Sequence, residues 1–198
     1  MKEEFRRNLP HFYAQDAIYD INFRLANTIP KSLSDEYYWT LKQEIKNKKT
    51  KKTSSLNTEI MDDYLDRKPN KIDWLRNEKI RLETISSINF NNKKLYSVIA
   101  FCIMPNHVHL IINTFNYPYT PLGEILKSIK QFSGNQANKV LNRQGQFWQH
   151  ESYDHIVKSR NELATRINYV KNNPVKAGLV TSWRKWPGTF VDEKYIDD

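Results

Sequence analysis

The sequence has a single cysteine, Cys102, among 198 residues. One thiol excludes an intrachain disulfide and a zinc cluster built from thiolates, and it suits a reducing cytoplasm. Residues 1–7 lack the apolar stretch of a secretory signal, and no run of the chain approaches the roughly 18 apolar residues that a membrane-spanning helix needs. We therefore expect a soluble, cytoplasmic protein with no membrane partner.

Acidic residues are fewer than basic ones. Asp and Glu number 22 against 31 Lys and Arg, which gives a formal net charge of +9, and aromatic residues make up 13% of the chain. Basic side chains neutralise phosphates and aromatic rings stack on bases, so this composition favours a polyanionic partner such as nucleic acid. The alternative is charge that serves solubility alone. The length predicts one domain, residues 1–198, with enough residues for a buried core.

Two histidines, His107 and His109, lie in the apolar run of residues 101–113. Side chains alternate between the faces of a strand, so both imidazoles point to one face while Val108 and Leu110 point to the other. Neutral imidazoles on a rigid strand are suitable ligands for a divalent cation. The alternative is a strand whose polar face carries two histidines by chance, and the pair alone leaves both interpretations open.

Hydrophobic periodicity predicts the order of the secondary structure. Extended segments are predicted at residues 19–25, 95–103, 107–113, 145–148 and 153–157. Helices are predicted at residues 32–45, 73–87 and 122–140, with a further helix after residue 159. Residues 104–106 have the length of a hairpin connection. This order predicts an α+β fold, a ferredoxin-like antiparallel sheet with helices on one face.

Two segments are predicted to lie outside this core. Residues 42–52 contain six lysines and almost no apolar residue, a composition that favours a solvated segment. We interpret residues 42–70 as a lysine-rich insertion or loop, and residues 181–198 as a C-terminal tail.

The last predicted helix begins at a capping box, in which Ser159 accepts a hydrogen bond from the backbone of Glu162 and Glu162 reaches back. Beside its apolar stripe, a second stripe carries Tyr169 and Asn173, which are neighbours one turn apart. Pro174 is expected to end the helix. The phenol could act as a nucleophile and the amide oxygen as a metal ligand. The structural alternatives are a tyrosine at the edge of the core and an asparagine at a helix stop.

Several short motifs, in order, carry a resemblance to a known family. They are MPNHVHL at 104–110, GQFWQ at 145–149, YDH at 153–155 and YVKNNPVKAGLV at 169–180, with a weaker match in LKS at 126–128. Each motif alone is weak, but the ordered set is specific and spans residues 9–180. The chain resembles the REP-associated tyrosine transposases, a branch of the single-tyrosine HUH (IS200-like) transposases.

The resemblance implies an HUH-type nuclease domain with a C-terminal tyrosine-bearing helix. It implies Tyr169 as the nucleophile, and His107, His109 and Asn173 as ligands of a divalent metal ion, Mg²⁺ or Mn²⁺. The implied activity is that of a single-stranded DNA endonuclease and strand transferase that acts on hairpin-forming palindromic repeats through a 5′-phosphotyrosine intermediate. The implied assembly is a monomer or a homodimer. The residues expected to contact DNA are Lys127, Lys130, Arg166, Lys171 and Lys176.

Alternatives remain for both residues and function. Tyr153 is a rival nucleophile, although no amide follows it four residues later, and His155 either positions phosphate or metal or makes a structural hydrogen bond. A non-cleaving, domesticated nucleic-acid-binding protein of the same fold is the main functional alternative. A nicking enzyme of the replication-initiator type is a further one, but such enzymes usually carry an additional helicase or dimerisation module.

The lysine-rich stretch of residues 42–52 generates a prediction about affinity. Phosphate contacts made by lysine release counterions without reading sequence. Replacing five lysines by glutamine should therefore weaken binding to specific and unrelated DNA hairpins alike and flatten the slope of log affinity against log salt. Cleavage at saturating protein should be largely preserved. The substituted residues are Lys46, Lys48, Lys49, Lys51 and Lys52. An unchanged salt slope would show that the stretch does not touch DNA.

Overall fold

The computed structural model describes residues 2–6, 9–14, 16–33, 35, 39, 62–66 and 72–196. Two N-terminal strands, β1 (Lys2–Arg6) and β2 (Leu9–Tyr13), pair with each other. The central sheet consists of β3 (Ile18–Arg24), β4 (Ser97–Ile103), β5 (His107–Asn113), β6 (Tyr153–Val157) and β7 (Thr189–Val191). Its five strands are antiparallel and lie in the order β6–β3–β5–β4–β7.

Two helices, α1 (Glu78–Asn89) and α2 (Leu122–Val140), share one hydrophobic core with one face of this sheet. The strand residues in that core are Tyr19, Ile21, Phe23, Val98, Phe101, Ile103, Val108, Leu110 and Ile112. The chain thus runs β3, α1, β4, β5, α2, β6, which is the ferredoxin-like order. The predicted α+β class with an antiparallel sheet is confirmed.

The third helix, α3 (Arg160–Lys176), lies on the opposite face of the sheet. Leu163, Ile167 and Val170 pack there against a second buried cluster that includes Ala100, Cys102 and Ile111. The prediction of helices on one face therefore holds for α1 and α2 but not for α3. The apolar stripe of α3 needed a partner, and the second face of a sheet that is apolar on both sides provides one.

The hairpin between β4 and β5 has the predicted three-residue connection, residues 104–106. The backbone N–H of Met104 donates to the carbonyl of His107, at 2.9 Å, and the carbonyl of Pro105 accepts from the backbone of Leu75, at 3.1 Å. These bonds close the turn and tie it to the segment before α1. The first histidine therefore stands at the start of a strand with a fixed position.

Both ends of α3 can be compared with the prediction. Ser159 caps the helix by accepting from the backbone N–H of Glu162, at 3.1 Å, as predicted, whereas the Glu162 carboxylate accepts from the backbone of Lys158. The expectation that Pro174 ends the helix is wrong, because α3 continues to Lys176. A proline removes one hydrogen bond but itself adopts helical angles, and Pro174 is buried within the last turn of the helix.

Parts of the two segments predicted to lie outside the core do have regular structure. Residues 62–66, inside the predicted loop of residues 42–70, are helical, and the C-terminal segment contributes the edge strand β7. Residues 42–61 and 67–71 lie outside the described residues, as does most of the predicted helix of residues 32–45. Within the described part of the chain, no helix has the length and apolar character to cross a membrane.

Candidate active site

The predicted histidine pair points to one face of the sheet, towards α3. His107 and His109 are buried, and their Nε2 atoms lie 3.0 Å apart. Val108 and Leu110 point into the core on the other face, as the alternation predicts. Two imidazole nitrogens at this separation can both bind one metal ion through their lone pairs.

Asn106 fixes the orientation of the first imidazole. Its Oδ1 lies 2.7 Å from Nδ1 of His107, so Nδ1 donates and Nε2 presents its lone pair to the site. The amide Nδ2 of Asn106 donates in turn to the carbonyl of Leu65, at 3.1 Å. This second layer of hydrogen bonds is the usual support of a metal-binding histidine.

Helix α3 brings Asn173 to the histidines. Its amide Nδ2 lies 2.8 Å from Nε2 of His109, and its Oδ1 is buried without a hydrogen-bond partner among the described residues. A rotation of the amide by 180° exchanges these two atoms and places the oxygen beside His109. A buried amide oxygen without a donor is costly unless a cation or a donor binds it.

Tyr169 lies one turn before Asn173 on the same helix. Its ring meets the ring of His109 edge to face, with centroids 5.7 Å apart. Its hydroxyl donates to Oδ2 of Asp62, at 2.8 Å, and that same oxygen is 3.8 Å from Nε2 of His109. The structure thus brings together the four residues predicted as nucleophile and ligands.

Asp62 is a member of this site that the sequence analysis missed. It is buried, and its Oδ1 accepts a hydrogen bond from Nδ2 of Asn22, at 2.7 Å. The signal was weak: an acidic pair at residues 62–63, among apolar residues at helical spacing, shortly after the lysine-rich stretch of residues 42–52. Its distance along the chain from both motifs gave no reason to connect it with them.

Burial controls the charge of these groups. It lowers the pKa of His107 well below its ordinary value and lowers the pKa of His109 to about 4, so both imidazoles are neutral at neutral pH. It also raises the pKa of Asp62 to about 7, against the opposing effect of the hydrogen bonds from Tyr169 and Asn22. Neutral imidazoles are the form that binds metal ions.

The residues fit a divalent cation. The candidate ligand atoms of Asp62, His107 and His109 all lie within 4.8 Å of one another, and Asn173 adds an amide oxygen that has no partner in the described part of the chain. Two neutral imidazoles and an amide oxygen are donors that suit Mn²⁺ or Mg²⁺, and the Asp62 carboxylate adds an acidic group beside them. Cys102 pairs with His109 across β4 and β5, but burial raises the pKa of its thiol to about 12, so it offers no thiolate.

The basic residues predicted to contact DNA fall into two groups. Arg166 and Lys176 lie on α3 beside the site, where Arg166 pairs with Asp20, at 3.2 Å, and Lys176 pairs with Asp63, at 2.8 Å. Lys171 is also on α3 and is half-buried.

The second group, Lys127 and Lys130, lies on α2 and lines a groove of about 520 Å³ between α2 and residues 145–154. Lys127 is exposed and pairs with Glu124, at 3.6 Å. The ammonium of Lys130 donates to the carbonyls of Gln149 and His150, at 3.1 and 3.2 Å. Polar side chains such as Gln131 and Asn135 line the same groove.

The two alternative site residues lie on β6. Tyr153 pairs in register with Asn22 of β3 and is half-buried. Nε2 of His155 lies 2.7 Å from Oε1 of Glu162. The other oxygen of this carboxylate accepts a hydrogen bond from the backbone N–H of Lys158. This contact gives His155 a structural role at the start of α3.

Comparisons with known proteins are consistent with one another. Residues 70–173 match the model of a family described as "Transposase IS200 like". A curated protein of Haemophilus influenzae, named "Putative REP-associated tyrosine transposase", is 28% identical over 103 residues, covering 46% of this chain and 57% of that protein. The chain thus spans little more than half the length of that relative.

A solved structure gives the comparison of folds. It is a REP-associated tyrosine transposase bound to a REP hairpin, with a TM-score of 0.52 and 16% sequence identity. The match covers 94% of this chain and 81% of that chain. At this identity the likeness is one of fold.

The lowered pKa of His109 predicts an acid-sensitive stability for the metal-free protein. The unfolded chain binds a proton at this imidazole below about pH 6.5, whereas the folded chain does so only near pH 4. The free energy of unfolding therefore falls as the pH drops through this window. Urea unfolding in EDTA, carried out at pH 7 and at pH 5, measures this loss of unfolding free energy. We expect the loss to be about 2 kcal/mol smaller in His109→Gln than in the wild type, because each pH unit between the two pKa values contributes ~1.4 kcal/mol.

The matched control is His150→Gln, because His150 is an exposed histidine. It should lose as much stability between pH 7 and pH 5 as the wild type does. Equal losses in His109→Gln and the wild type would contradict the prediction.

Proposed function

The chain belongs to the IS200-like transposase family, and from this membership we propose that it is a metal-dependent endonuclease and strand transferase for single-stranded DNA. The observation that carries the proposal is the convergence of two separate motifs. His107 and His109 of β5 meet Asn173 of α3, and the Tyr169 hydroxyl lies beside them through a shared contact with Asp62. A structural role for Tyr169 and Asn173 alone gives no reason for this convergence.

The proposed reaction is a transesterification. The Tyr169 oxygen attacks a backbone phosphorus, a bond from the phenolic oxygen to phosphorus forms, and the bond from phosphorus to the 3′ oxygen breaks. The phenol loses one proton and the departing 3′ oxygen gains one, so the step needs no oxidant or nucleotide. The 5′ end remains attached to the tyrosine, and attack by another 3′-OH reverses the chemistry and joins two strands.

The site residues would hold the cation that this reaction needs. His107 and His109 supply neutral imidazoles and Asn173 supplies an amide oxygen, while the Asp62 carboxylate lies beside them as the hydrogen-bond acceptor of Tyr169. A bound divalent ion would polarise the scissile phosphate and neutralise charge that develops on its oxygens. Helix α3 carries both Tyr169 and Asn173, so the nucleophile and one ligand have a fixed separation.

We propose hairpin-forming repeats as the substrate. Support comes from the solved structure of similar fold, which holds a REP hairpin, and from the curated relative. Arg166 and Lys176 are basic residues beside Tyr169 that could exchange their ion pairs with Asp20 and Asp63 for phosphates, and the Lys176 ammonium lies 5.5 Å from the centre of the Tyr169 ring. The groove lined by Lys127 and Lys130 is a second surface that fits a nucleic-acid strand.

If the protein were a non-cleaving, domesticated binding protein, we would expect the metal-ligand residues and the tyrosine to lie far apart or to be replaced by side chains without this chemistry. The close approach of the histidines, Asn173 and Tyr169 favours the enzyme instead.

Tyr169→Phe tests the nucleophile. The variant should form no covalent adduct with single-stranded DNA, because it has no hydroxyl, while hairpin affinity stays within about twofold of wild type. Adducts are measured by denaturing gel electrophoresis and affinity by titration. Tyr153→Phe is the matched control and should form the adduct at the wild-type rate. An adduct in Tyr169→Phe that survives denaturant would place the nucleophile elsewhere, with Tyr153 as the next candidate.

Removal of the metal tests the second part of the proposal. His107→Ala and His109→Ala should each reduce cleavage by at least about 100-fold, since each deletes one of a few ligands, and EDTA should do the same to the wild type. Excess Mn²⁺ should restore the chelated wild type but not the variants. Full cleavage in chelator would exclude the metal mechanism and would favour a different chemistry at Tyr169.

A further inference from the structure

Asp62 belongs to neither the histidine motif nor the tyrosine motif. It precedes residue 70, where the match to the family model begins, and lies in the helical residues 62–66. Its side chain is fully buried. A carboxylate is costly in such a place unless donors surround it, so its position requires specific partners.

Both carboxylate oxygens have such a partner. The Tyr169 hydroxyl donates to Oδ2, at 2.8 Å, and Nδ2 of Asn22 donates to Oδ1, at 2.7 Å. Asn22 lies on β3 directly opposite His109 in the register of the sheet. Asp62 therefore connects the phenol of α3 with the strand beside the histidines.

The same helical segment supports the histidines and α3. The carbonyl of Leu65 accepts from Asn106, whose Oδ1 orients His107. Asp63 forms an ion pair with Lys176 at the end of α3, at 2.8 Å. Residues 62–66 are thus joined to Tyr169, to the end of α3 and, through Asn106, to the first histidine.

We infer that Asp62 is a positioning residue, which holds the Tyr169 hydroxyl beside the two histidines through its hydrogen bond. The inference rests on the proposed function, in which that hydroxyl attacks phosphorus. Without the bond, the phenol keeps its edge contact with His109 but loses a short hydrogen bond that orients its oxygen. Misplacement of a reacting atom by about 1 Å can reduce a rate by roughly 100-fold.

The experiment compares Asp62→Ala and Asp62→Asn with the wild type. In Asp62→Ala, the rate of adduct formation at saturating hairpin DNA should fall by about 10- to 100-fold, while hairpin affinity and Mn²⁺ affinity change by no more than about threefold. Asp62→Asn should recover most of the rate, because its amide oxygen can still accept from Tyr169 while its amide nitrogen donates to a rotated Asn22. Asp66→Asn is the matched control, with the same loss of charge one turn later on the same segment.

A spectroscopic measurement tests the position of the phenol without any reaction. The protein is labelled with fluorotyrosine, and the ¹⁹F resonance that disappears in Tyr169→Phe is that of Tyr169. This resonance should move in Asp62→Ala and stay near its wild-type position in Asp62→Asn and Asp66→Asn. If Asp62→Ala does not fold, the rate and resonance of Asp62→Asn still test the inference, since both must remain close to wild type.

Several results would overturn the inference. A wild-type rate in Asp62→Ala would show that the hydrogen bond does not matter, and a faster rate would show that the carboxylate obstructs the site. Loss of Mn²⁺ binding in both variants would make Asp62 a metal ligand. A rate in Asp62→Asn as low as in Asp62→Ala would show that charge, and not the hydrogen bond, is required. A wild-type protein that forms no adduct would instead overturn the proposed function, while the resonance still reports on the phenol.

Discussion

The alternation of side chains along β5 separates packing from chemistry in this protein. Val108, Leu110 and Ile112 fill the core under α1 and α2, while the residues between them face α3. Because β5 is the central strand, bonded to β3 and β4 on either side, it cannot slip by one residue without burying imidazoles among apolar side chains. The position of His107 and His109 is therefore as firmly determined as the core itself.

The opposite wall of the site is determined by helix geometry. Leu163, Ile167 and Val170 fix the rotation of α3 on the sheet, and this rotation directs Tyr169 and Asn173 inwards. Pro174 and Asn173 are both buried in the last turn, so the end of the helix is held by packing. The phenol and the amide reach the histidines because a stripe of three apolar residues sets the angle of one helix.

Much of this arrangement follows from local sequence patterns, and the sequence analysis predicted it. The alternation of residues 107–113, the bounds of α2 and the Ser159 cap all follow from patterns within a few turns or strand residues. The convergence of His109 with Asn173 was available only through the resemblance to a family, because no spacing rule relates a strand to a helix so much later in the chain.

The parts that were missed depend on contacts between distant segments. Asp62 is set in place by Asn22 and Tyr169, which lie far from it along the chain on either side. Strand β7 has three residues and exists only because it pairs with β4. The continuation of α3 through Pro174 depends on burial that the local sequence does not indicate. Local propensity gives way in each case to tertiary packing.

The place of Cys102 has a consequence for how the protein responds to oxidants. Its Sγ is buried between Met104 and Thr189, at 3.6 and 3.5 Å, on the strand that pairs with the histidines. A thiol that remains protonated and shielded reacts slowly with peroxide and does not capture soft metals such as Cu⁺. The single thiol of the sequence thus lies on the strand that pairs with the histidines, where burial keeps it protonated and slow to react with oxidants.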